Sequence, residues 1–181
     1  MALPPAVEAL WTELEAVRRK VLTETEGLSQ AQADWRPSDK DWSVGEILHH
    51  LTLAEINTGK LTSKLIKEAA AAGTPAGFPS DLKAFVPLPP SNPGPMEAPP
   101  VVRPEKGHPI AQLLADIKSA RERSRQSIER LASVDARALI WKHFAFGDLN
   151  LAQWWMLQAR HDGDHLQQLR AVKASSGFPK A

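Results

Sequence analysis

Residues 74–109 hold 11 of the chain's 15 prolines, among them the run "VPLPPSNPGPMEAPPVVRP". A proline has no amide hydrogen and a locked φ, so prolines at this density block both a helix and an inner strand. The segment is therefore expected to be an extended connection between two flanking stretches of about 70 residues each. Each flank offers only two long helical patterns, and two separate two-helix domains would leave much of their apolar faces wet. The expected solution is one domain over residues 1–181. It is an all-α four-helix bundle, with the proline-rich stretch as a long crossover between the second and third helices.

The first helix, about residues 5–26, opens on Pro4 and Pro5 and carries Val7, Leu10, Trp11, Leu14, Val17, Val21 and Leu22 at helical spacing. A short helical turn is expected at Ser29–Ala33. The second helix, about 43–72, opens on Ser43 with Glu46 three residues later, a capping-box pair. Its apolar stripe is Ile47, Leu51, Ala54, Thr58, Leu61 and Leu65, and Leu53 and Ile56 form a second apolar strip on its outer side. The third, about 109–133, starts at Pro109. A loop carrying aromatics leads into the fourth, about 150–175, where Asn150 and Gln153 form another capping pair.

Composition removes several chemistries. There is no cysteine and no tyrosine, so disulfides, thiolate ligands, a cysteine nucleophile and a phenolic acid are excluded. A net charge of +1 gives no electrostatic case for nucleic acid or an anionic membrane. The basic run "RERSR", Arg121 to Arg125, is expected to be a solvated helix face. No apolar run approaches the roughly 20 residues of a membrane span, and the N-terminus lacks a signal-peptide pattern, so a cytoplasmic location is expected. Six histidines then become the most informative candidates.

On the fourth helix, positions 154, 158, 161, 165, 168 or 169, and 172 share one face. His161 and His165 are therefore expected to point inward, with Asp162 and Asp164 turned to water. Gly163, between them, is expected to mark close helix packing. On the second helix His50 lies beside Ile47, Leu51 and Ala54 and points in, whereas His49 points out. An inward histidine pair at i, i+4 with a third from another helix can meet a divalent metal and leave a position open. The competing reading is three core histidines bonded to the backbone or to one another.

Two blocks carry a family resemblance. "DWSVGEILHHLTLAE" resembles the DinB-like (DinB/YfiT) superfamily, in which a histidine eight residues after a tryptophan binds metal. Trp42 and His50 have that spacing. "HFAFGDLNLAQWWMLQARHDGDHLQQL" is similar to the family's second block, which ends H-x-x-x-H-x-x-Q, matched by His161, His165 and Gln168. The resemblance implies a bundle, often a homodimer, with His50, His161 and His165 binding a divalent ion, zinc or nickel foremost. Characterised members of that family include thiol-dependent S-transferases using bacillithiol, mycothiol or glutathione and a thiol-dependent maleylpyruvate isomerase, while most have no assigned reaction. Of these, the resemblance points to S-transfer from a low-molecular-weight thiol to a small-molecule substrate.

Since the chain has no cysteine, any thiolate must come from an external cosubstrate. A metal-dependent hydrolase and a non-catalytic metal-binding dimeric bundle are the alternatives. His143, before the fourth helix, is the candidate catalytic contact or acid/base. Glu46 is explained either by its cap or by orienting His50, and Gln168 either as a partner of a ligating ring or as a bond across the bundle. His49 and His108 are expected at the surface.

Overall fold

In the computed structural model, four long helices follow from the caps and apolar spacing of the sequence; the structure describes residues 3–73, 77–78, 87–90 and 96–180. Helix α1 spans Pro5–Thr25, with a proline in its first turn. Helix α2 is a single short piece, Gln30–Asp34, closed by a capping box between Ser29 and Gln32. Helix α3 runs Val44–Ala72. The Ser43 hydroxyl accepts the Glu46 amide, and the Glu46 carboxylate accepts the Ser43 amide. Gly73 ends α3 at φ 67°, the left-handed conformation that glycine adopts without steric cost. Helices α4, Ile110–Leu131, and α5, Leu151–Ala174, complete the bundle, α5 opening on the Asn150–Gln153 capping box.

The four long helices pack in a closed ring, α1 against α4 and α5, and α3 against the same two. Helix α1 is thus diagonal to α3. Of the expected crossover, residues 74–76, 79–86 and 91–95 lie outside the described residues. Its described end runs beside α3: a 3-10 turn at Pro100–Val102 leads to Pro109, which caps α4. The stretch expected as a loop before α5 is instead a β-hairpin. Strand β1, Ile140–His143, pairs antiparallel with β2, Gly147–Asn150, from Ile140 opposite Asn150 to His143 opposite Gly147. Gly147 at φ 70° lets the three-residue connection close.

Two apolar clusters fill the interior. One gathers Leu10, Leu14, Ile128, Leu151 and Trp155, and the other Val21, Ile47, Leu51, Ile117 and Leu169. On every long helix one buried charged residue sits between its contributions to the two clusters: Arg18, Glu55, Arg121 and Asp162. All four are buried. Arg18 Nη2 lies 2.8 Å from both Glu55 Oε2 and Asp162 Oδ2. Arg121 reaches Glu55 Oε1 at 2.7 Å and Asp162 Oδ2 at 3.1 Å. Each acid therefore meets both arginines, and the layer carries no net charge. Such complete pairing is what makes burial of four charges tolerable.

This layer corrects two expectations. Asp162 does not face water but is fully buried. Arg121, the first residue of "RERSR", is buried as well, so that run is only partly a solvated face. The buried row of α5 is Trp155, Ala159, Asp162, Leu166 and Leu169, and the histidine row stands about 100° to one side of it. Gly163 is not a packing glycine, since a Cβ there would meet nothing within 4 Å. Leu53 and Ile56 are half-buried.

Candidate metal centre

His50 projects from the second turn of α3 and is 5% exposed, while His161 and His165, one turn apart on α5, are half-buried. Their rings converge. His161 Nε2 lies 3.0 Å from His50 Nε2 and 3.1 Å from His165 Nε2. One nitrogen from each ring falls within 4.8 Å of the others. Trp42 closes one side, its ring centroid 4.9 Å from His50 and 5.9 Å from His165, nearly parallel to the latter.

The outer edges of two rings fix their protons. His50 Nδ1 is 2.7 Å from the carbonyl oxygen of Val102, and His165 Nδ1 is 2.7 Å from Gln168 Oε1. A carbonyl oxygen only accepts, so each Nδ1 carries the proton and donates it. Each neutral ring then has a bare Nε2 directed at the cluster. Burial, followed by the charge of His165, pushes the His50 pKa down to about 4, against the raising effect of its Val102 contact. Burial and the two neighbouring imidazoles hold His161 well below its ordinary value. His165 is also lowered by burial, although Gln168, Asp162 and Asp164 oppose the shift. Neutral imidazoles with convergent lone pairs are the protonation state a divalent ion requires.

The spacing fits as well. Ligand nitrogens at 2.0–2.1 Å from a tetrahedral ion stand about 3.3 Å apart, a few tenths of an ångström wider than the separations of His161 from His50 and from His165. The residues present fit a metal, with three protein donors and an open side.

That side faces a cavity of about 800 Å³, into which all three histidines open. Trp42, Trp141, Phe144, Phe146 and Trp154 supply much of its wall. Trp154 lines it while its neighbour Trp155 is the one buried in the core. His143 lines it too, from the end of β1. Its Nδ1 accepts the backbone amides of Ala145 at 3.1 Å and Phe146 at 3.3 Å. Burial and then the charge of Arg160 lower its pKa to about 4.

The remaining candidates separate cleanly. Glu46 is occupied by its cap and by an ion pair with Arg36 at 2.8 Å; the polar edge of His50 is held by Val102 instead. Gln168 does hold a ring of the cluster. Asp164 is exposed and borders the cavity. His49 lies away from the cluster, accepting the Glu105 amide at 3.0 Å, and its ring meets that of His108 edge-on. Sequence reasoning missed the Val102 carbonyl, a main-chain group that no side-chain pattern reveals. It also missed Trp141, whose ring takes the Lys64 ammonium 3.6 Å from its centroid.

Comparison with known proteins bears on the family and the fold. The family model for the DinB superfamily matches residues 13–169. The chain is similar to the uncharacterized protein YuaE of Bacillus subtilis (strain 168), with 24% identity over 159 residues, covering 86% of this chain and 92% of that protein. Its fold is similar to that of TT2238, a four-helix bundle protein of known crystal structure. The TM-score is 0.60 at 18% identity, covering 92% of this chain and 99% of the other.

Proposed function

The chain belongs to the DinB superfamily, and we propose that His50, His161 and His165 hold one divalent ion, zinc or nickel, beside a cavity where an external thiol is transferred to a small apolar substrate. The observation that carries this reading is the pair of Nδ1–H bonds to Val102 and Gln168, which turn two bare Nε2 atoms toward the third ring. A divalent ion supplies Lewis acidity there, lowering the pKa of a thiol or water that binds it.

The chain's own residues do the rest. Val102 and Gln168 orient the rings, as partners of ligating histidines commonly do. Trp42 covers the cluster on one side, and the aromatic walls hold an apolar body while limiting water. No cysteine competes for the electrophile, so the thiol is a cosubstrate. In the transfer its sulfur forms the new bond to the electrophilic carbon as the leaving group departs with the bond's electron pair, and the thiol proton passes to solvent.

The test is consumption of an apolar electrophile by metal-loaded protein, with and without bacillithiol, mycothiol or glutathione. Thiol-dependent turnover supports the transferase reading. Turnover without thiol favours a hydrolase, and none with any thiol favours a non-catalytic bundle. The same reading takes the protein as a cytoplasmic homodimer, whose stoichiometry sedimentation of the purified chain measures. Among the described residues no helix is long and apolar enough to cross a membrane.

A further inference from the structure

We propose that the cavity selects an aromatic substrate bearing a carbonyl-type acceptor, and that the Nε2–H of His143 is the donor that recognises it. The assignment begins in the main chain. The amides of Ala145 and Phe146 both donate to Nδ1 of His143. An N–H cannot accept, so Nδ1 presents its lone pair and the single proton of the neutral ring lies on Nε2. The three-residue connection between β1 and β2 builds this contact, because it turns two successive amides back over the last residue of β1.

Nε2 of His143 has no hydrogen-bond partner among the described residues, and the ring lines the cavity. Phe144, Phe146 and Trp154 pack around that ring with centroids 4.6 to 5.0 Å away, leaving Nε2 as its polar contribution to the site. His143 is thus a donor held among aromatic surfaces, and with Nδ1 occupied it is not placed to act as a base. Its lowered pKa, caused by burial and then by Arg160, keeps it uncharged at neutral pH. Of the other neutral donors that line the cavity, Asn57, Thr58 and Gln158 already donate to Leu53, Ala54 and Asp162, and the Lys64 ammonium lies over the Trp141 ring. Aromatic walls with the uncommitted Nε2–H of His143 match a planar aromatic body with one acceptor oxygen.

The inference rests on the cavity being the substrate site and is independent of the metal. Its first arm is 15N–1H NMR of the full chain labelled at the histidine nitrogens, at pH 7. His143 is expected as the neutral Nε2–H tautomer; a protonated Nδ1 overturns the assignment.

The second arm uses metal-free protein and two probes of similar shape, 2-acetylnaphthalene and 2-ethylnaphthalene. The wild type is expected to bind the acetyl compound about five- to tenfold more tightly, the effect of one net hydrogen bond. His143→Phe should bind the two alike, and His143→Gln, which keeps an N–H donor, should regain part of the preference. A preference that survives His143→Phe, or its absence from the wild type, overturns the proposal, as does failure of both probes to bind. With no metal present, these outcomes leave the metal reading untouched. Conversely, a chain that binds no metal but shows the His143-dependent preference retains the donor and loses only the metal.

Discussion

Nε2 of His161, on α5, lies 3.0 Å from Nε2 of His50, on α3. Two ring nitrogens at that distance share at most one proton. His50 already has its proton on the far side of the ring, at Val102, and His165 likewise at Gln168. Any proton on His161 Nε2 therefore faces two lone pairs and satisfies them incompletely. A cation at the same point meets three donors at once.

Gln168 is the one orienting group of this cluster that mutation can remove directly. Gln168→Leu deletes the acceptor for the His165 Nδ1–H and should weaken metal binding about 10–100-fold, while Gln168→Glu keeps an acceptor and retains most of it. Competition with a chromogenic chelator measures both. Equal affinity in wild type and Gln168→Leu would show that the contact does not tune the site.

The charged layer makes a separate prediction about stability. Glu55→Leu leaves two buried arginines sharing one buried acid, Asp162, with only the part-exposed Glu15 reaching Arg121 at 3.4 Å, and should cost about 3–5 kcal/mol. Glu55→Leu combined with Arg121→Leu restores neutrality through the Arg18–Asp162 pair, and should be more stable than Glu55→Leu alone. Urea unfolding of the three proteins reads the order. A double variant less stable than the single one would refute the charge-balance account.

How much of this was legible in the sequence depended on the kind of residue. Helix starts at Ser43, Pro109 and Asn150 were readable because caps are local chemistry. The convergence of His50, His161 and His165 was readable from the i, i+4 spacing and the motif resemblance, although the helical phase that pointed the pair inward also put Asp162 in water, and Asp162 is in fact on the buried row. Glu55 and Asp162 were not, since a charged residue in a helix is ordinarily assigned to water. Yet Asp162 stands seven residues from both Trp155 and Leu169, two fully buried side chains, and Glu55 lies four from Leu51. Those intervals mark both positions as buried by helical phase, whatever their polarity. The hairpin escaped because its strands are only four residues long and alternate weakly.

Stability of the metal-free protein should fall with acid in a defined window. His50 has a folded pKa of about 4 against an ordinary 6.5, so the unfolded chain binds the extra proton first. Its contribution, about 3 kcal/mol from that shift, is complete above pH 6.5 and is lost as pH falls toward 4. His161 and His165 are shifted the same way and act in the same direction. Glu55 takes over at lower pH: burial alone would raise its pKa, but Arg18 and Arg121 outweigh it, so its contribution disappears only below the usual carboxylate range. Urea midpoints of metal-free protein between pH 7 and 4 check this, and midpoints unchanged over that range would contradict it.

Metal analysis of the chain purified without an affinity tag, then titrated with zinc or nickel, tests the central claim most directly. The account predicts about one ion per chain for the wild type. It also predicts loss of that ion in each of His50→Ala, His161→Ala and His165→Ala, with circular dichroism showing the helices retained. A wild type that takes up no ion, or alanine variants that bind as tightly as the wild type, would contradict it.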